Sequence, residues 1–188
     1  MGYYMNHTDI QGMFPRFNEI TDEALRTNAI ETIIEAIRVG GWDASSVYEI
    51  PLTLERSNTK VTLIEHINSV VEACMAGYDA VKEFKNRQGL RFDKNIVVAG
   101  ALLHDVGKFL EYTVEDGSYV TSPKGKIMRH PLSGALLASK HGIPDEIVQL
   151  IAMHSHEGEH AKHTAESAFV RDMDLLIYDA TVYGTKYN

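Results

Sequence analysis

A single cysteine, Cys74, excludes an internal disulfide in this 188-residue chain and suits a reducing compartment. Its neighbours are apolar, so it reads as a buried core thiol rather than a nucleophile. No segment approaches the roughly 18 unbroken apolar residues of a membrane span. The N-terminal "MGYYMNHTDIQGMFPRF" lacks the basic start and long apolar stretch of a secretory signal. A cytoplasmic location is expected, with no membrane contact. Basic residues are in the minority, 18 against 26 acidic, and they are scattered; the net charge of -8 argues against a dedicated nucleic-acid or membrane-surface binder. A small-molecule substrate is the better expectation. No repeat, low-complexity tract or interdomain linker is visible, and the length suffices for one domain, residues 1–188, with a real core.

Helical periodicity dominates what is present. "TDEALRTNAIETIIEAIRVGG" opens at an N-cap near Thr21 and stops at Gly40 and Gly41, a left-handed C-cap signal. After a connector containing Pro51, "LIEHINSVVEACMAGYDAVKEF" repeats apolar residues at Leu63, Ile67, Val70, Cys74, Tyr78 and Val81, which is helical spacing. Asp93 is placed to cap the next helix, whose "NIVVAGALLHDVG" is apolar on nearly every side and therefore central. Asp116-Gly117 between two short alternating runs predicts a β-hairpin near 111–122. Helices are expected at about 130–141, 145–155 and 165–182. The fold class is all-α, a compact helical bundle with one hairpin insertion and a helical extension over about 1–55. The aromatic and Met-rich first twenty residues are expected to cover a pocket or to form a homo-oligomer contact.

The doublet His104-Asp105 is the most informative feature. Alone it is weak, because chance supplies about half of one such pair in a chain of this composition. Its position gives it weight. Two polar side chains closing an apolar helix must be hydrogen-bonded, paired or bound to metal, since an unpaired buried carboxylate costs several kcal/mol or more. Imidazole nitrogen and carboxylate oxygen together suit Zn, Mn, Fe or Co. Other candidates lie beside apolar helix faces: His66, His130, His154, and Asp172, Asp174 and Asp179. Each has an ordinary reading as a core histidine or a solvated aspartate. Together they form the kind of constellation with which bundles cage metals.

These elements resemble the HD-domain superfamily of metal-dependent phosphohydrolases. "LIEHINSVV" is similar to its first His element, "LLHDVGK" to its doublet, "RHPLSGA" and "IAMHSHEG" to its later His elements, and "VRDMDLL" to its terminal Asp element. The likeness runs over about 60–182. "HDVGKFLEYTVEDGSYVTSPKGKIMRH" is also similar to the HD domain of bacterial 3′-5′ exoribonucleases. That similarity lends local architecture and not substrate, because the acidic balance departs from what an RNA-processing enzyme wants.

The resemblance implies that His66, His104, Asp105 and Asp174 hold a first divalent transition-metal ion (Mn, Zn, Fe, Co or Ni), and that His130 and His154 complete a second site with Asp105 as bridge. Asp172 is the rival of Asp174, and His156 of His154. If His130 and His154 touch substrate instead, one ion is expected. Metal-activated hydroxide would then attack a phosphate ester of a nucleotide or other small metabolite, with Asp105, Lys108 and His156 as catalytic residues. Lys108, Lys126 and Arg129 are the expected substrate contacts. His156 or Glu157 is a candidate general acid on a His-rich lid. The same ligands are also compatible with ring opening, carbon-carbon bond hydrolysis or diiron oxygenation, and with a non-catalytic sensor.

Overall fold

Seven consecutive buried residues, Val97 to Leu103, explain why one helix lies at the centre of the molecule. In the computed structural model, which describes residues 5–55 and 60–184, the chain order is α1 (His7–Met13), α2 (Glu23–Gly40), α3 (Leu63–Asn86), α4 (Lys94–Leu103), α5 (Lys108–Glu111), β1 (Tyr112–Glu115), β2 (Ser118–Thr121), α6 (His130–Lys140), α7 (Asp145–Met153) and α8 (Ala165–Gly184). Helix α4 is the central one and packs against α2, α3, α7 and α8. Its Gly100 admits the side chain of Leu150 so closely that a β-carbon there would lie 2.5 Å from Leu150 Cδ1. The Asp93 carboxylate caps α4, accepting from the Asn95 N–H at 2.9 Å.

The α3 start matters most for the site, because His66 lies on its first turn. Thr62 and Glu65 form a capping box: the Thr62 hydroxyl accepts from the Glu65 N–H at 3.2 Å, and the Glu65 carboxylate from the Thr62 N–H at 2.8 Å. Thr62→Ala is expected to lower stability by about 1 kcal/mol, measured by urea denaturation at constant m-value.

Helix α2 begins one residue later than its sequence suggests. Asp22, not Thr21, accepts from the Leu25 N–H at 3.0 Å, while Thr21 bonds through its N–H to Asn95 Oδ1 at 2.8 Å. Gly41, at φ 80°, ends the helix as expected. The hairpin is present, Tyr112 pairing with Thr121 and Glu115 with Ser118, and its turn residues Asp116 and Gly117 have φ of 51° and 76°. Both take positive φ in a two-residue turn, which matches strand twist.

The N-terminal stretch corrects one expectation. Ile10, Met13, Phe14, Phe17 and Ile20 are buried in the same apolar cluster as α4, so residues 5–20 contribute to the core and do not cover the cavity described below. Tyr3 and Tyr4 lie outside the described residues. Cys74 is fully buried, and burial pushes its thiol up to about 12, so it is inert.

Candidate metal centre

Four helix ends and one helix face converge beneath a cavity of about 550 Å³. His104 is the C-cap of α4, His154 the C-cap of α7, and His130 the first residue of α6. His66 comes from α3 and Asp174 from α8, and Asp105 follows the α4 cap directly. A helix terminus lets neighbouring side chains turn towards one point, which is why the doublet lies there.

Asp105 is the hub. Its Oδ2 lies 3.5 Å from His66 Nε2, 3.4 Å from His104 Nε2 and 2.7 Å from the Lys108 ammonium. Its Oδ1 lies 3.4 Å from both His130 Nε2 and His154 Nε2, and it has no aligned hydrogen-bond partner although buried. Asp174 Oδ1 is 2.9 Å from His66 Nε2 and 3.6 Å from His104 Nε2. Among the described residues, the two groups able to share an ion are therefore His66, His104 and Asp105, and Asp105, His130 and His154.

Hydrogen bonds behind the rings set their tautomers. The Nδ1–H groups of His104 and His154 donate to the carbonyls of Ala101 at 2.7 Å and Ile151 at 2.8 Å. His130 Nδ1 lies 2.5 Å from Glu111 Oε2. A neutral ring held this way turns a bare Nε2 lone pair inward. Lone pairs and carboxylate oxygens packed together repel unless a cation lies among them. Metal–ligand bonds of about 2.0–2.2 Å place neighbouring donors about 2.8–3.6 Å apart, and the separations here span 2.9 to 3.6 Å. The donor set fits a divalent metal.

The electrostatics agree. Burial works against the Asp105 carboxylate, but Lys108 and His104 outweigh it and hold the group well below the usual carboxylate range. Asp174 is held at about 2, again against burial, by His104 and His66. Burial lowers His130 to about 4 despite Glu111, and lowers His66. His104 is also opposed by burial, but Asp105 and Asp174 raise it. Anionic carboxylates and neutral His130 and His66 are the ligand-ready forms at neutral pH.

Two rivalries take physical form. Asp172, two residues before Asp174, is 63% exposed and pairs with Arg171 at 3.1 Å, away from the cluster. His154 is buried in the cluster, whereas His156 stands exposed at the cavity rim. Lys108 and Arg129 line the cavity, Arg129 bonded to Glu157 at 2.7 Å. Lys126 is exposed and is not among the lining side chains.

Sequence reasoning did not single out Glu111, Arg171, Tyr178 or the wall made by Thr53, Leu54 and Glu55. For Arg171 and Tyr178 a signal existed, since they lie three residues before and four after Asp174 on one helix and share its face. For Glu111 and the wall there was none.

Comparison with known proteins bears on this geometry. The chain is 31% identical over 148 residues to the Dihydroneopterin 2',3'-cyclic phosphate phosphodiesterase of Methanocaldococcus jannaschii, covering 76% of this chain and 57% of that protein. It is 29% identical over 154 residues to the Ribonuclease Y of Acidothermus cellulolyticus, 82% of this chain and 27% of that protein. The Ribonuclease Y of Thermotoga maritima is 28% identical over 167 residues, 89% of this chain and 28% of that protein. The chain thus spans just over half of the first relative and under a third of the others. No solved structure matches it. The model of the HD domain matches residues 63–179, the segment that carries every member of the cluster, and the chain belongs to the HD domain family.

Proposed function

We propose that this chain is a metal-dependent phosphohydrolase acting on a nucleotide or other small phosphorylated metabolite. The observation that carries the reading is Asp105, a buried carboxylate with imidazoles facing both of its oxygens at the floor of a cavity. His66, His104, Asp105 and Asp174 would hold one ion, and Asp105, His130 and His154 a second. Bound there, a divalent ion supplies Lewis acidity towards phosphoryl oxygens and lowers the pKa of a water molecule.

The remaining roles belong to the chain itself. The Lys108 ammonium, anchored on Asp105 and 10% exposed, has further protons to donate to a phosphoryl oxygen. Arg129 orients the anion from the rim, and His156, exposed there, protonates the leaving alkoxide. Tyr112, Tyr178, Leu54 and Leu175 supply an apolar wall for the organic part of the substrate. The cavity volume falls within the range of small-molecule pockets, about 300–1,000 Å³. Residues 5–55 share the core cluster with the HD-like segment, which supports treating both as one folding unit. Among the described residues no helix is long and apolar enough to cross a membrane.

The test is hydrolysis by the purified chain supplied with Mn, Zn, Fe, Co or Ni. The panel contains nucleoside monophosphates, 2',3'-cyclic nucleotides, a pterin cyclic phosphate of the kind named for the Methanocaldococcus relative, and an RNA oligonucleotide. Cleavage of a small phosphate ester in preference to the oligonucleotide is expected. Bound ions with every phosphoester intact, or oxygen consumption in their place, overturns the reading.

A further inference from the structure

We infer that Glu111 is a positioning residue that sets the metal affinity of the His130–His154 half of the centre, and that the turn following β2, which carries Ser122 and Gly125, is the clamp that holds it. The inference rests on the proposed metal centre and goes beyond its ligand set.

The His130 ring is strung between two carboxylates of one short segment. Its Nε2 faces Asp105 Oδ1 at 3.4 Å, and its Nδ1 lies 2.5 Å from Glu111 Oε2. The same Glu111 oxygen accepts the His130 backbone N–H at 2.8 Å. With two donors on one oxygen, the ring can neither flip nor move its proton to Nε2 without breaking a buried bond. Among the cluster's histidines this backing is singular: His104 and His154 lean on neutral carbonyls of their own helices, and His66 Nδ1 has no hydrogen-bond partner. A carboxylate behind an imidazole makes it a stronger donor than a carbonyl does. The two halves of the centre are therefore unequal by construction.

Glu111 is itself fixed from behind. The Ser122 N–H donates to the Glu111 carbonyl at 2.8 Å, the Ser122 hydroxyl to the Leu110 carbonyl at 2.9 Å, and the Gly125 N–H to the Ser122 hydroxyl at 2.9 Å. Gly125 lies so close that a β-carbon on it would be 2.5 Å from the Glu111 carbonyl oxygen and 2.9 Å from its Cγ. Any side chain at 125 must displace the Glu111 stem.

The experiment titrates metal-free protein with Mn(II) alone, which suits nitrogen and oxygen donors. Bound ions are counted by equilibrium dialysis with elemental analysis, and spin coupling between ions is followed by electron paramagnetic resonance. The expected result is two ions in the wild type, and in Glu111→Ala a second ion weakened about 10- to 100-fold with the first unchanged and the coupled signal replaced by that of an isolated ion. Glu111→Gln, which keeps an acceptor but no charge, should lose a smaller part, and Gly125→Ala should weaken the second ion alone. Should Glu111→Ala not fold, Glu111→Gln and Gly125→Ala carry the test. Unchanged second-ion affinity in them, or equal loss at both sites, overturns the inference. A wild type that binds one ion overturns it while leaving a mononuclear hydrolase, whereas one that binds none overturns the proposed function as well.

Discussion

Replacing Asp105 by asparagine is expected to lower kcat/KM on the best phosphate ester by at least about 10³-fold, the equivalent of several kcal/mol of metal-derived stabilisation, and to leave neither ion bound. Among the described residues no other side chain belongs to both groups of ligands. Its Oδ2 meets His66 and His104 and its Oδ1 meets His130 and His154, so loss of one carboxylate charge weakens both halves at once. Asparagine has nearly the same shape, which separates charge from packing. Asp105→Ala adds a structural cost, because Lys108 loses its partner at 2.7 Å. That cost should fall below the about 3–5 kcal/mol of a fully sealed pair, since Lys108 opens on the cavity. The decisive measurements are turnover, ions per chain and thermal denaturation of both variants. Full turnover in Asp105→Asn would remove the centre from the reaction.

How far this could be read from the chain depended on whether a residue's environment was local. His104 and Asp105 were legible because two polar residues terminate an apolar helix whose burial follows from composition alone. The hairpin was legible because Asp116-Gly117 meets a local backbone requirement for positive φ. Asp174 and Asp172 could not be separated, since two residues apart on a helix either can face the cluster. The choice is made by the phase of α8, which directs Asp172 to solvent beside Arg171. Glu111 was hidden for a stronger reason: a carboxylate after "KFL" reads as solvated, and its burial depends on Ser122 and Gly125 across the hairpin. Loop residues such as Lys126 and Arg129 have no periodicity from which direction could be inferred. The N-terminal stretch is different, because Ile10, Met13, Phe14 and Phe17 already carry the i, i+3, i+4, i+7 spacing of a core face.

Gly107→Ala is the second large effect, and it arises from the glycine of "HDVGK". Its φ is -67°, an ordinary helical value, so conformational freedom is not what requires glycine here. The requirement is space. A β-carbon at 107 would fall inside the carbonyl group of His130 and 2.8 Å from the nitrogen of Gly134, and a β-carbon at 134 would in turn lie 3.0 Å from the Gly107 nitrogen. Two facing glycines thus allow α5 and the start of α6 to touch backbone to backbone, which brings His130 within reach of Asp105. Because the opposing atoms are main chain, no rotamer change relieves the clash, and α6 must move. The expected destabilisation is about 3 kcal/mol or more, the upper end of overpacking costs. In molecules that still fold, the Mn(II) titration should show the second ion lost and the first retained, since His66, His104 and Asp174 come from α3, the C-cap of α4, and α8 rather than from α6. Gly12→Ala, where no atom lies within 4 Å, is the reference; it should leave metal binding untouched and stabilise α1 by about 0.5–1 kcal/mol. Equal stability and equal ion content in both variants would show that the close approach of α5 to α6 does not build the second half of the centre.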